Sequence, residues 1–315
     1  MAASPAYFIS CDWGTTNFRL RVVESGSQHV VAEVGSGRGI REVFEAFQRS
    51  GTNSQRDYFA NYLLAQLVTL PKPYRHAPVV ASGMASSNMG IRELPYAELP
   101  IGARGENLVC EWLDLGATHR LLLVSGVKGS NDIMRGEEVQ AVGLIDRMEN
   151  AGTLVLPGTH SKHLRYTGGV FTDFRTYMTG ELFELLSRKS LLSASVEAGP
   201  LGQSEREAFD EGVLQAMNGR PTGNLFSVRV QTVLNDYPKK DNYHFLSGLL
   251  IGEELRQLTV TAGSVYLAAA GTLSTAYSRA FKILGLDNRL VSFDAEILRH
   301  ALLFGQTKLL LQHAS

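Results

Sequence analysis

Asp12-Trp13-Gly14-Thr15-Thr16-Asn17-Phe18-Arg19 sets one carboxylate, one glycine, two hydroxyls and one guanidinium on a short turn between apolar stretches. Such a turn suits a nucleotide's phosphates and their magnesium ion. Gly14 lets the backbone come close to a phosphate, because no Cβ intervenes. Thr15, Thr16 and nearby N–H groups can donate to phosphate oxygens. Asp12 can hold Mg²⁺ through water, since that ion dehydrates reluctantly. Arg19 adds positive charge. An isolated polar hairpin would look the same. A second turn, Leu156-Pro157-Gly158-Thr159-His160-Ser161-Lys162, again offers a glycine, two hydroxyls, a lysine and backbone donors. Two such turns in equivalent places argue for a phosphate clamp far better than one.

The elements needed to position these turns are legible as alternating strand-like and helix-like stretches, which point to an α/β protein. Residues 7–11, 18–23 and 29–34 read as successive strands, and residues 57–70 as a helix stopped by Pro71 and Pro73. Residues 78–82 and 121–124 read as buried strands, and residues 131–147 as a loop entering a helix. The pattern then restarts with strands over 153–156, 163–166 and 170–173, so the architecture looks duplicated. Helices follow over 179–186, from a Ser204/Glu207 capping box through Met217, and over 241–258. A strand over 265–269 and a helix over 272–284 come next, and Asp294 can cap a final helix. The restart places the domain boundary near Glu149-Asn150-Ala151-Gly152. Gly35-Ser36-Gly37-Arg38-Gly39 lacks the spacing of a Rossmann fingerprint or a P-loop and reads as a flexible loop.

The 315 residues carry a formal net charge of −1, which gives no electrostatic case for nucleic acid or a membrane surface. Two cysteines, Cys11 and Cys110, are too few for a disulfide framework. No apolar run is long enough to span a bilayer, and Met1 to Pro5 show no secretory signal, so a cytoplasmic location is expected. His160 and His163 are three apart, but no acid or cysteine completes a zinc set. Trp13 reads as packing rather than as a platform for a base.

Six blocks, in order along nearly the whole chain, resemble the 2-dehydro-3-deoxygalactonokinase family, within the actin, Hsp70 and hexokinase-like sugar kinases. They are Asp12–Arg19, Ser82-Gly83-Met84-Ala85-Ser86-Ser87-Asn88, Met134-Arg135-Gly136-Glu137-Glu138-Val139-Gln140, Leu156–Lys162, Asp173-Phe174-Arg175-Thr176-Tyr177-Met178-Thr179-Gly180-Glu181-Leu182, and Phe245-Leu246-Ser247-Gly248-Leu249-Leu250-Ile251-Gly252. The block from Asp173 to Leu182 is far more specific than the phosphate turns.

The resemblance implies two ribonuclease H-like domains with a nucleotide and sugar cleft between them. They would span residues 1–150 and 151–293, with a helix over about 294–315 packing back on the first. It implies ATP and Mg²⁺ as cofactors and phosphorylation of the terminal hydroxyl of a 2-keto-3-deoxy sugar acid. Alternatives are another keto-deoxy acid or aldonate, or a non-catalytic nucleotide sensor. Asp12 would hold the metal, and Gly14, Thr15, Thr16 and Arg19 the phosphates. Gly158, Thr159 and His160 would form the second phosphate contact. Gly271 and Thr272, in a turn opening a helix, would sit at adenosine; an ordinary strand-to-helix turn is the equal alternative. Arg175 would pair the substrate carboxylate, unless it serves a salt bridge to Asp173 or Glu181, with Asn88 and Thr179 as further contacts. Glu137, Glu138 and Asp173 are the candidate bases, and of the adjacent glutamates only one can face the substrate. The family's habits suggest a homodimer.

Overall fold

The computed structural model describes residues 5–149 and 151–313. The expected features at Met1–Ser4, Asn150 and residues 314–315 lie outside them. The chain divides into two compact units. Unit 1 comprises residues up to Met148, Thr167–Asp173 and residues from Arg299 on; unit 2 comprises Glu149–Tyr166 and Phe174–Leu298.

Unit 1 starts with a meander, β1 (Tyr7–Trp13), β2 (Phe18–Glu24) and β3 (Val30–Ser36). In β2, Phe18, Leu20 and Val22 point inward while Arg19 stays exposed, the period of two that makes a half-buried strand. β1 and β2 are antiparallel, with Asp12 opposite Arg19. Helices α1 (Ile40–Ser50) and α2 (Gln55–Leu67) follow, then β4 (Val79–Gly83). Every residue of β4 is buried, as expected of a parallel strand covered on both faces. It pairs parallel with β1, setting Ser82 beside Asp12 and Gly83 beside Trp13. The next strands are β5 (Ala97–Glu98), β6 (Ile101–Gly102), β7 (Cys110–Leu115), β8 (His119–Val124), β9 (Val127–Lys128) and β10 (Ile133–Met134). Helix α3 (Glu137–Leu144) comes after them. The main sheet has the order β3-β2-β1-β4-β8-β7, with β4 and β8 parallel, while β10-β9-β5 form a small ladder. Trp13 is fully buried among Phe18, Phe59 and Tyr62, so it is core.

Unit 2 repeats the plan. β11 (Ala151–Leu156), β12 (Ser161–Thr167) and β13 (Val170–Tyr177) are neighbours in that order. The first residues of β13 count with unit 1, where Val170 and Phe171 pair antiparallel with Gly102 and Ile101. Five helices follow: α4 (Thr179–Lys189), α5 (Gln203–Ala216), α6 (Pro221–Leu225), α7 (Ser227–Leu234) and α8 (Lys239–Leu255). Then come β14 (Ser264–Leu267), α9 (Gly271–Ile283), β15 (Leu290–Ser292) and α10 (Ala295–Gln312). β14 runs parallel to both β11 and β15. The order β13-β12-β11-β14-β15 therefore matches β3-β2-β1-β4-β8. Both units have the ribonuclease H-like arrangement of the actin and hexokinase-like kinases.

Glycines set the helix contacts. A Cβ at Gly143 of α3 would meet the Ala301 carbonyl, and one at Gly305 of α10 the Val139 carbonyl. In α8, a Cβ at Gly252 would lie 2.9 Å from the Ala216 Cβ and the Val213 Cα of α5, and one at Gly248 would meet the Phe209 carbonyl of α5. These contacts account for Gly248 and Gly252 in the Phe245–Gly252 block. The expected capping box is absent. Helix α5 starts at Gln203 with Gly202 as its N-cap, and Ser204 already lies within the first turn. Asp294 does cap α10, its Oδ1 accepting from the Ile297 N–H at 2.7 Å.

Candidate active site

In an open α/β sheet, ligands gather beyond the carboxyl ends of parallel strands. In unit 1 those ends carry the Gly14 turn after β1 and the Met84–Asn88 segment after β4. The Gly14 turn closes on itself, Gly14 N–H donating to the Asn17 carbonyl at 2.9 Å. Behind it stands the start of α1. The N–H groups of Gly39, Ile40 and Arg41 donate to the carbonyls of Thr16, Gly14 and Thr15, at 3.2, 2.9 and 3.2 Å. The carbonyls are thereby taken up from behind. A Cβ on Gly39 would collide with the Thr15 and Thr16 backbone. The segment read as a flexible loop is therefore a fixed brace, and Gly39 is the residue that sequence reasoning missed. The signal was present, since Gly39 directly precedes a helix whose first N–H groups lack intrahelical partners.

Thr15 is half-buried and Thr16 exposed. Asp12 is partly buried, and burial pushes its carboxyl upward, with Arg19 and Arg21 pulling it back. Arg19 is exposed and lies 3.5 Å from Glu33. Asn88 is exposed, and its carbonyl accepts from the Gln55 side chain at 2.9 Å.

Gly83 (φ 80°) and Gly136 (φ 117°) both hold left-handed conformations that favour glycine. A Cβ on Gly136 would sit 3.4 Å from the Gly83 Cα, so the start of α3 is carried to the end of β4. The two glutamates that follow diverge. Glu138 is 1% exposed, and its two oxygens lie 2.9 and 2.7 Å from the Gly136 N–H. Burial, with Glu137 adding repulsion, pushes its pKa up to about 8. Glu137 is only half-buried, and its Oε2 accepts from the Arg135 N–H at 3.2 Å. Arg135 lies over the Tyr96 ring at 4.3 Å and donates to the Ser86 carbonyl at 2.6 Å, tying α3 to the segment after β4. The third acid, Asp173, lies half-buried within β13.

In unit 2, the turn after β11 and the start of α9 after β14 occupy the corresponding strand ends. Gly158 has open space on its Cβ side, and Thr159 and His160 are exposed. The start of α4 supports this turn. Glu181 N–H donates to the Thr159 carbonyl at 3.0 Å, and a Cβ on Gly180 would lie 2.6 Å from the Gly158 carbonyl. His160 Nε2 meets Glu181 Oε2 at 2.6 Å. Gly271 (φ 60°) opens α9 with nothing near its Cβ position, and Thr272 is exposed beside it.

Three side chains differ from the expected roles. Ser161 is buried with its hydroxyl on Tyr277 at 3.1 Å, and buried Lys162 donates to the His160 carbonyl at 3.2 Å. Thr179, expected at the substrate, is buried and donates to Glu254. Ser161 and Thr179 face inward because α9 and α8 supply partners, Tyr277 and Glu254, that no local pattern reveals, whereas Lys162 folds back on its own turn. Arg175 is exposed on β13, while Glu181, one of its two expected salt-bridge partners, is engaged with His160.

Among the described residues, no group of three or more His, Cys, Asp or Glu side chains is placed to hold a metal. A magnesium ion held by one carboxylate, water and phosphates needs no such group. No helix among those residues is long and apolar enough to cross a membrane.

The chain is 32% identical over 301 residues to the probable 2-dehydro-3-deoxygalactonokinase of Rhizobium meliloti (strain 1021), covering 92% of this chain and 94% of that one. It is 30% identical over 299 residues to the 2-dehydro-3-deoxygalactonokinase of Escherichia coli (strain K12), with the same coverage. The crystal structure of a Sinorhizobium meliloti protein assigned as a 2-dehydro-3-deoxygalactonokinase superposes with a TM-score of 0.77 at 29% identity, covering 95% of both chains. A family model described as 2-keto-3-deoxy-galactonokinase matches residues 12–303, and the chain belongs to that family.

Proposed function

We propose that this protein is an ATP-dependent kinase that phosphorylates the terminal, 6-hydroxyl of 2-dehydro-3-deoxy-D-galactonate, in galactonate catabolism. The observation that carries the reading is the repeated turn. Each unit places a short glycine- and threonine-bearing loop after the first strand of its own main sheet, and braces it with a following helix. Phosphoryl transfer asks chiefly for such positioning and for charge neutralisation.

In unit 1, Gly14, Thr15 and Thr16 would meet phosphate oxygens. Asp12 would hold Mg²⁺ through water, and the ion would neutralise charge on the phosphates. A neighbouring cation suits a carboxyl that burial otherwise drives toward protonation. In unit 2, Gly158, Thr159 and His160 would meet phosphate, and Gly271 and Thr272 the adenosine. The substrate's terminal oxygen attacks the γ-phosphorus, the bond to the β-phosphate oxygen breaks, and ADP leaves. Glu137 takes the hydroxyl proton in this scheme. It is the accessible one of the adjacent glutamates, whereas Glu138 is buried and protonated at neutral pH. Arg175 would pair the substrate carboxylate and Asn88 a hydroxyl or keto oxygen.

The test is ADP release from purified protein with ATP, Mg²⁺ and either 2-dehydro-3-deoxygalactonate or its gluconate-derived epimer. Release dependent on the galactonate-derived acid is expected. Release without any sugar acid would indicate an ATPase, and preference for the other epimer would refute the substrate. Glu137→Gln should lower kcat by about 10²–10⁴-fold, the usual range for a general base; an active Glu137→Gln with an inactive Asp173→Asn would transfer the role.

A further inference from the structure

Glu254, near the end of α8, is 1% exposed and has three donors around one carboxylate. Tyr277 O–H donates to its Oε2 at 2.7 Å, and the Thr179 hydroxyl donates to the same oxygen. His163 Nε2, itself buried, lies 2.9 Å from Oε1. Tyr277 has one proton, and it goes to Glu254. Its oxygen must then accept from Ser161 Oγ, 3.1 Å away. The Ser161 oxygen in turn accepts from Gly158 N–H at 3.3 Å. Every direction in this chain is thus set from the Glu254 end, and it ends at the glycine of the phosphate turn.

The donors come from three elements. Ser161 opens β12 directly after the turn, Thr179 opens α4, and Tyr277 lies in α9, whose first residues are Gly271 and Thr272. Nothing in the reaction uses Glu254 directly, and a buried carboxylate is unfavourable unless donors surround it. Its effect is to lock the turn, the helix that supports the turn and the helix proposed for adenosine in one relative geometry.

We propose that Glu254 is the positioning residue of the nucleotide site in unit 2, holding the Gly158 turn and the start of α9 ready for a nucleoside triphosphate. The proposal rests on the kinase reading and deepens it. Glu254→Gln keeps the shape but presents an amide N–H₂ to groups that are themselves donors. Tyr277→Phe leaves Glu254 with His163 and Thr179 while cutting the chain to Ser161.

The experiment measures binding of a non-hydrolysable ATP analogue by calorimetry, together with KM for ATP, KM for the sugar acid, and Tm, in both variants. Affinity for the analogue should fall about tenfold, the equivalent of one hydrogen bond, with KM for ATP rising and KM for the sugar acid unchanged. A merely structural role would lower Tm and leave the affinity of the folded protein alone. Folded variants with unaltered affinity would overturn the proposal. If Glu254→Gln does not fold, Tyr277→Phe decides. Failure of the kinase reading is distinct: the unsubstituted protein would then show no ADP release dependent on a sugar acid.

Discussion

Glu138→Gln should make the protein more stable at alkaline pH without costing it activity. Glu138 is 1% exposed, and its donors are backbone N–H groups, its own and that of Gly136, which both oxygens approach at 2.9 and 2.7 Å. These and the nearby Arg135 charge do not offset the loss of water, and Glu137 adds repulsion. Its pKa rises from 4.5 to about 8. The same buried charge is a secondary cause in pushing the Cys110 thiol up to about 12, after burial itself. Because the folded-state pKa is the higher one, the native protein binds the extra proton. Stability is therefore full below about pH 4.5 and declines as pH rises toward 8. At 1.36 kcal/mol per unit, the whole span corresponds to about 5 kcal/mol, an upper figure because relaxation reduces it. Glutamine keeps an acceptor for Gly136 and never ionises. Denaturant unfolding at several pH values between 5 and 8.5 should show the unsubstituted protein losing a few kcal/mol more than the variant over that range. Parallel pH profiles would refute the buried-acid account. A large loss of kcat at unchanged stability would show instead that Glu138 is the base.

Two further substitutions test the scaffold around the Gly14 turn. Gly39→Ala introduces a Cβ into the Thr15 and Thr16 backbone, so the turn must shift; steady-state kinetics should show KM for ATP raised, with about 1–3 kcal/mol lost in thermal unfolding from overpacking. Gly305→Ala drives a Cβ into the Val139 carbonyl and should destabilise by about the same amount, while the surviving folded protein keeps its KM for ATP.

The two meanders and their turns were legible because strands carry their period in the sequence. Expected strands over 7–11 and 18–23 became Tyr7–Trp13 and Phe18–Glu24. The repeat itself made the duplicated sheet readable, and the block from Asp173 to Leu182 carried the family. What stayed hidden depends on partners far away in sequence. The brace on Gly14, Thr15 and Thr16 consists of backbone bonds from Gly39–Arg41, and backbone groups look alike in every residue. The inward turn of Ser161 and Thr179 is set by Tyr277 on α9 and Glu254 on α8, and Glu254 follows another acid, Glu253, with nothing local to mark it. β5, β6, β9 and β10 are two residues long, too short for any periodic signal. At α5, Ser204 and Glu207 have the spacing of a capping box, but the helix is capped two residues earlier, by Gly202.

The closing helix α10 has a consequence for how the chain folds during synthesis. Gln306, fully buried, reaches Cys11 O at 3.4 Å and Ser82 Oγ at 3.1 Å, on the two strands that end at the proposed active site. Unit 1 therefore lacks part of its interior until residues beyond Arg299 have been made, and residues 174–298 belong to unit 2. At ribosomal rates of about 5–20 residues per second, that interval lasts roughly 6–25 s. During it the apolar surface that α10 later covers stays open to water. The second unit can finish first although it begins later.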